Sequence, residues 1–174
     1  MKKGPRILIF TGDGKGKTTA ALGMALRAAG HGMHIYVIQF IKNALTGEIL
    51  AVKNIPNIEI SQTGLGFLPS AEDERFTAHR QGAQAGLDQA AGAIESGNYS
   101  LIILDEICLA VSRGLLEEGE VIELLQKVLP DSCVVLTGRG ATENLIALAD
   151  TVTEMRCLKH GLELGFSAQK GVEL

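Results

Sequence analysis

Gly12-Asp13-Gly14-Lys15-Gly16-Lys17-Thr18-Thr19 packs glycines, lysines and hydroxyls into one short stretch. That mixture is suited to holding phosphate. Glycines let the backbone curl so that its N–H groups point inward at an anion. Lys17 supplies a mobile cation, and Thr18 a hydroxyl for a magnesium ion. The usual pattern is G-x-x-x-x-G-K-[ST]; here its first position is Thr11, so the match is one residue short. Asp13 and Lys15 are expected to carry exposed side chains, with Lys15 adding charge beside a nucleoside triphosphate. The run Leu101-Ile102-Ile103-Leu104-Asp105-Glu106 is apolar and ends in two acids. Next to a phosphate loop, such an acid lies near Thr18 and supplies the carboxylate for Mg²⁺ or Mn²⁺. Magnesium keeps several waters, so one or two carboxylates suffice.

A third run, Val134–Thr137, leads into Gly138-Arg139-Gly140. Arg139 is either a bidentate phosphate donor or a structural ion-pair partner, and the residues alone leave both open. No Ser-His-Asp or Cys-His order builds a nucleophilic site. No glutamine or arginine stands out to position a hydrolytic water. Cys108, Cys133 and Cys157 lack C-x-x-C spacing and lie in or beside apolar runs, which predicts buried thiols. His31, His34, His79 and His160 never fall at metal-ligand spacing, so zinc has no case. An ATPase, a kinase-like transferase and a nucleotide-controlled binding module all remain possible on these grounds.

The phosphate loop needs a strand before it and a helix after it, and the sequence provides both. Apolar runs at Ile7–Thr11, His34–Phe40, Ile58–Thr63, Leu101–Asp105, Cys133–Thr137 and Thr151–Cys157 read as strands covered on both faces. Helical stretches at Lys17–Ala29, Glu48–Lys53, Ala71–Glu95, Glu117–Val128 and Thr142–Leu148 alternate with them. Ser70 and Asp73 form a candidate capping pair for the long third helix. The alternation predicts an α/β sandwich of the P-loop, RecA-like type, a mostly parallel sheet with helices on both faces. Ligands of such sheets bind at the carboxyl ends of the strands.

The 174 residues are expected to form a single domain, spanning 1–174. A chain that is 46% apolar and 21% charged reads as a soluble globular protein. The net charge of −4 and the lack of any basic run beyond Lys2-Lys3 argue against a nucleic-acid partner. No apolar stretch approaches the roughly 20 residues of a membrane span, and no signal-peptide core appears. The cytoplasm is the expected compartment.

Beyond the shared phosphate loop, an ordered set of stretches is far more specific. The chain has TGDGKGKTTAALGMALRAAGHGM, VIQFIK followed by Gly47-Glu48, LIILDEI, LTGRGA, LADTVTEMRCLKH and GFSAQKGVEL. From about Ile7 to Leu174 it resembles the ATP:corrinoid adenosyltransferases of cobalamin metabolism. The resemblance implies transfer of the 5′-deoxyadenosyl group of ATP onto the cobalt of a reduced corrinoid, with release of triphosphate. It further implies an electron donor for Co(II) and a homodimer, with ATP bound in the reverse sense to most P-loop proteins. By the same resemblance Gly12 to Thr19 grip the triphosphate, Thr18 and Glu106 hold the metal, with Asp105 as a further metal residue, and Lys17 acts on the leaving group. Phe67 would help strip the lower axial ligand from cobalt. The chain departs from the family in three places. Family members often carry Gly-Phe-Thr-Trp where Gly66-Phe67-Leu68-Pro69 stands here. Cys108 replaces a usually polar residue, and only six residues precede the first predicted strand. The rival readings are a P-loop ATPase or switch, or a corrinoid-delivery module, either having lost adenosyl transfer.

Overall fold

Consecutive apolar residues along the inner strands need partners on both faces, and the fold supplies them. The structure, a computed structural model, describes residues 4–172. Strands β1 (Arg6–Thr11), β2 (Ile35–Gln39), β3 (Ile58–Gln62), β4 (Leu101–Asp105), β5 (Cys133–Thr137) and β6 (Thr151–Glu154) form a six-stranded sheet ordered β3-β2-β4-β5-β1-β6. Every pairing is parallel. Ile38, Phe40, Ile102, Leu104, Val134 and Leu136 face one core cluster, while Ile35, Val37, Leu101, Ile103 and Val135 face the other.

Helix α1 (Lys17–Gly30) lays Ala21, Ala25 and Ala28 on the second cluster, where α2 (Gly47–Val52) adds Val52. Alanine at this helical spacing lets α1 approach the sheet closely. On the other face, α3 (Phe76–Ser96) contributes Ala83, Leu87, Ala90 and Ile94. Helices α4 (Ile107–Ser112), α5 (Glu118–Gln126) and α6 (Glu143–Leu148) complete that layer with Ile107, Leu125 and Leu145. The register sets Gln39 opposite Asp105 and Phe10 opposite Thr137, so the carboxyl ends of β1, β2, β4 and β5 share one rim.

Several expectations from the sequence are corrected. Helix α3 begins at Phe76, not Ala71, and Ser70 and Asp73 do not cap it. Asp73 instead grips the Arg75 guanidinium at 2.9 and 2.6 Å within the preceding turn. Strand β6 stops at Glu154, lies at the sheet edge and is exposed throughout. Helix α4 was not expected: ICLAVS is too short and too uniformly apolar to show a helical period.

The cysteines divide as well. Cys108 is buried, Cys133 half-buried and Cys157 exposed, contrary to the expectation of three buried thiols. Burial pushes the Cys108 thiol up to about 12 and the Cys133 thiol up to about 11. Both are therefore protonated and unreactive at pH 8. A disulfide dye at pH 8 should label Cys157 alone in the native protein and all 3 cysteines in guanidinium. Rapid native labelling of two or more would contradict the burial described.

Candidate functional site

Strand β1 ends at Thr11 and the chain turns through the glycine-rich loop into α1. Gly16 stands just before the helix with φ 110°, a backbone conformation that costs glycine little. No side chain caps the N-terminus of α1, and its first turn holds no acid. The positive end of the helix dipole is thus left for an anion. Lys17 curls back over the loop, donating from Nζ to the Gly12 and Gly14 carbonyls at 2.7 Å each. Burial holds its ammonium below the usual lysine range, a shift that the charge of Glu106 opposes.

Close packing supplies a second reason for the glycines. A Cβ on Gly12 would lie 2.4 Å from the Met155 carbonyl oxygen, and one on Gly14 2.7 Å from the same atom. The Gly14 N–H donates to that oxygen at 2.6 Å, so it is engaged there rather than turned inward. Beyond β6, the chain therefore runs directly along the phosphate loop.

The two acids behave differently. Asp105 is fully buried at the end of β4. Its Oδ1 accepts from the Thr18 and Thr137 hydroxyls, each at 2.7 Å. Its Oδ2 accepts from Gln39 Nε2 at 2.9 Å and Lys42 Nζ at 3.0 Å. Glu106 follows with φ 67°, the one positive φ outside glycine among the described residues. Its N–H donates to Thr137 Oγ1 at 2.9 Å. Burial, and then the charge of Asp105, raise the Glu106 carboxyl above the ordinary range, while Lys42, Lys17 and Arg139 pull it back. Glu106 Oε2 is buried with no hydrogen-bond partner. An orphaned carboxylate oxygen facing cations and a phosphate loop suits a hard divalent ion. Among the described residues no three His, Cys, Asp or Glu side chains cluster around one point. An ion held here would draw most of its ligands from phosphate and water.

These groups line a cavity of about 580 Å³. It brings together Asp13, Gly14, Lys15, Gly16, Lys17, Thr18, Thr19, Glu106 and Arg139 from the sequence-predicted set. Gly12 and Asp105 are not among its lining residues. Arg139 reaches Asp13 only at 3.8 Å, with both side chains exposed. Such a pair contributes little to stability, and Arg139 lines the cavity. Phe67 is not part of this cavity. Leu68 packs against the core while Phe67 is 96% exposed, so Phe67 is no core residue. Gly66, with φ 91°, carries the loop, and its N–H donates to the Ile41 carbonyl at 2.8 Å.

Sequence reasoning missed Lys42, Gln39, Thr137 and His160. Lys42 and His160 line the cavity, and Gln39 and Thr137 support Asp105. Gln39, Lys42 and Thr137 sit at or just past strand carboxyl ends, which was the available signal. His160 closes the LADTVTEMRCLKH stretch, where the resemblance, and no metal-ligand spacing, was the available signal.

The family model described as ATP:corrinoid adenosyltransferase BtuR/CobO/CobP matches residues 3–174. The chain belongs to this family. A corrinoid adenosyltransferase of Pseudomonas aeruginosa is 40% identical over 169 residues, covering 96% of this chain and 82% of that protein. One from Escherichia coli K12 is 34% identical over 168 residues, with 96% and 84% covered. A KaiC-like protein of Pyrococcus horikoshii OT3 has a TM-score of 0.57 at 16% identity, covering 89% of this chain and 72% of that one. That likeness concerns the α/β P-loop fold alone. Within the adenosyltransferase family, the loop glycines and the Met155 segment that packs on them lie inside the matched region.

Lys17→Ala should weaken ATP binding by about tenfold to a hundredfold, since it removes the cation held over the loop by the Gly12 and Gly14 carbonyls. A charge-assisted contact of this kind is worth roughly 1.5–3 kcal/mol. Calorimetric titration with ATP checks this, and unchanged affinity would place the phosphate site elsewhere.

Proposed function

We propose that this chain transfers the 5′-deoxyadenosyl group of ATP to the Co(I) centre of a reduced corrinoid and releases triphosphate, in cobalamin biosynthesis or salvage. The observation that carries the reading is the cavity itself: cations and hard oxygen donors converge at the phosphate loop of a chain matched from end to end by the adenosyltransferase family. Co(I) is a strong nucleophile and needs no protein base. It attacks C5′ of ATP, the C5′–O5′ bond breaks, and the electron pair leaves with triphosphate. The protein's task is to align C5′ with cobalt and to stabilise the departing charge.

Gly12 to Thr19 would hold the triphosphate, with Lys17 and Arg139 facing its negative oxygens. Thr18 and Glu106 would hold Mg²⁺ or Mn²⁺, with Asp105 fixing the Thr18 hydroxyl from behind. The ion, when bound, supplies positive charge to the leaving triphosphate. Phe67 would meet the corrinoid. Its exposed ring on a glycine-hinged loop fits contact with a flat macrocycle, where it can occupy the lower face and donate nothing to cobalt. An electron donor for Co(II), a homodimer and a cytoplasmic setting complete the proposal. The exposed β6 edge leaves room for a second copy, and among the described residues no helix is long and apolar enough to cross a membrane.

Incubation with ATP, Mg²⁺ and chemically reduced cob(I)alamin should yield a light-sensitive Co–C product and stoichiometric triphosphate. ADP and phosphate without that product would indicate an ATPase, and corrinoid binding without turnover a delivery module. Phe67→Ala should slow adenosylation at least about tenfold from Co(II) with a reductant, yet largely spare it from preformed Co(I). Because Phe67 is exposed, its truncation should not lower the melting temperature. Equal losses in the two assays would remove the axial-ligand role.

A further inference from the structure

We infer that Lys42 is a triphosphate-binding residue which holds the metal ligands in place before the divalent ion arrives, then yields that position to the ion. This rests on the ATP-site reading above. Lys42 Nζ stands 2.8 Å from Thr18 Oγ1 and 3.0 Å from Asp105 Oδ2. Thr18 Oγ1 lies 2.7 Å from Asp105 Oδ1, so one ammonium bridges the hydroxyl and the carboxylate closest to it. Magnesium bound at Thr18 would require the same oxygen lone pair at roughly 2.0–2.1 Å. Two cations cannot share it at that range without strong repulsion. One must move.

Mobility decides which. The Asp105 side chain is 1% exposed and fixed at a strand end, whereas that of Lys42 is 31% exposed. Lys42 also lines the cavity alongside Lys17 and Arg139. Its flexible stem can swing toward the phosphates, and an ammonium is a compact charge able to follow them. Asp105 is not stranded by this exchange, since Gln39 and Thr137 still donate to it. Glu106 Oε2, buried and unpartnered, offers the incoming ion a further oxygen. The same side chain thus serves the site twice. Without metal it neutralises the buried carboxylate, and with metal it adds positive charge to the triphosphate.

The test compares the full-length wild type with Lys42→Met and Lys42→Arg. Mn²⁺ binding without nucleotide is read from the paramagnetic resonance of the free ion. Inorganic triphosphate binding with Mg²⁺ is read by calorimetry. Lys42→Met should bind Mn²⁺ at least about threefold tighter, because a competing charge is gone, and triphosphate about tenfold weaker. Lys42→Arg, which keeps the charge, should stay within about threefold of wild type in both measurements. Unchanged Mn²⁺ binding by Lys42→Met would overturn the exchange, and unchanged triphosphate binding the phosphate role. Weakening of both ligands in both variants would make Lys42 a purely structural residue. If the wild type itself binds neither ATP nor triphosphate, the nucleotide-site reading fails and this inference falls with it. A binding wild type beside silent Lys42 variants removes the inference about Lys42 alone.

Discussion

A fully buried carboxylate must find donors, and at Asp105 they come from separate parts of the chain. Thr18 reaches it from the start of α1, Gln39 from the end of β2, Lys42 from the turn beyond, and Thr137 from the end of β5. A buried charge left unpaired typically costs 3–5 kcal/mol, so this requirement fastens those elements to β4. The phosphate loop inherits its position from that fastening, because the hydroxyl bound to Asp105 belongs to the loop's own threonine. Electrostatic satisfaction and the geometry of the cavity are therefore one constraint.

Backbone strain concentrates at the same point. Glu106 adopts a left-handed conformation that lets β4 pass into α4 with no connecting loop, and Thr137 secures its amide. Side chains other than glycine, asparagine and aspartate seldom take this conformation, and they do so mainly where surrounding structure enforces it. The turn after β5 must then pass very close to α4. A Cβ on Gly138 would lie 2.7 Å from the Leu109 amide nitrogen, so the glycine in TGRG is demanded by packing. Arg139 projects from that tightly held turn, which limits where its guanidinium can go.

Much of this was legible in the residues. Continuous apolar runs located β1, β4 and β5, and an alanine-rich stretch α1, to within a residue or so, and the strand-loop-helix setting singled out the glycine-rich loop despite Thr11. The acids at the end of β4 followed from the same pattern. What escaped notice shares a physical cause. Lys42, Gln39 and Thr137 are ordinary residue types whose meaning comes from parallel register, which places distant strand ends side by side. Helix α4 depends on the turn at Glu106, a tertiary effect that local propensity does not encode. Cys157 lies beyond the end of β6 and is exposed, and where that strand stops could not be read from hydropathy.

Strand β1 is translated first among the strands, yet it lies between β5 and β6, its partners from the far end of the chain. Its apolar residues must wait through most of synthesis before residues 133–154 emerge to pair with them. The loop it carries waits longer, since Met155 closes against Gly14 only after β6 is in place. Contacts this distant in sequence form late in folding. On the ribosome, then, the glycine-rich loop is among the earliest segments made and the latest to be finished, and the cavity proposed for triphosphate would be completed only near the end of translation.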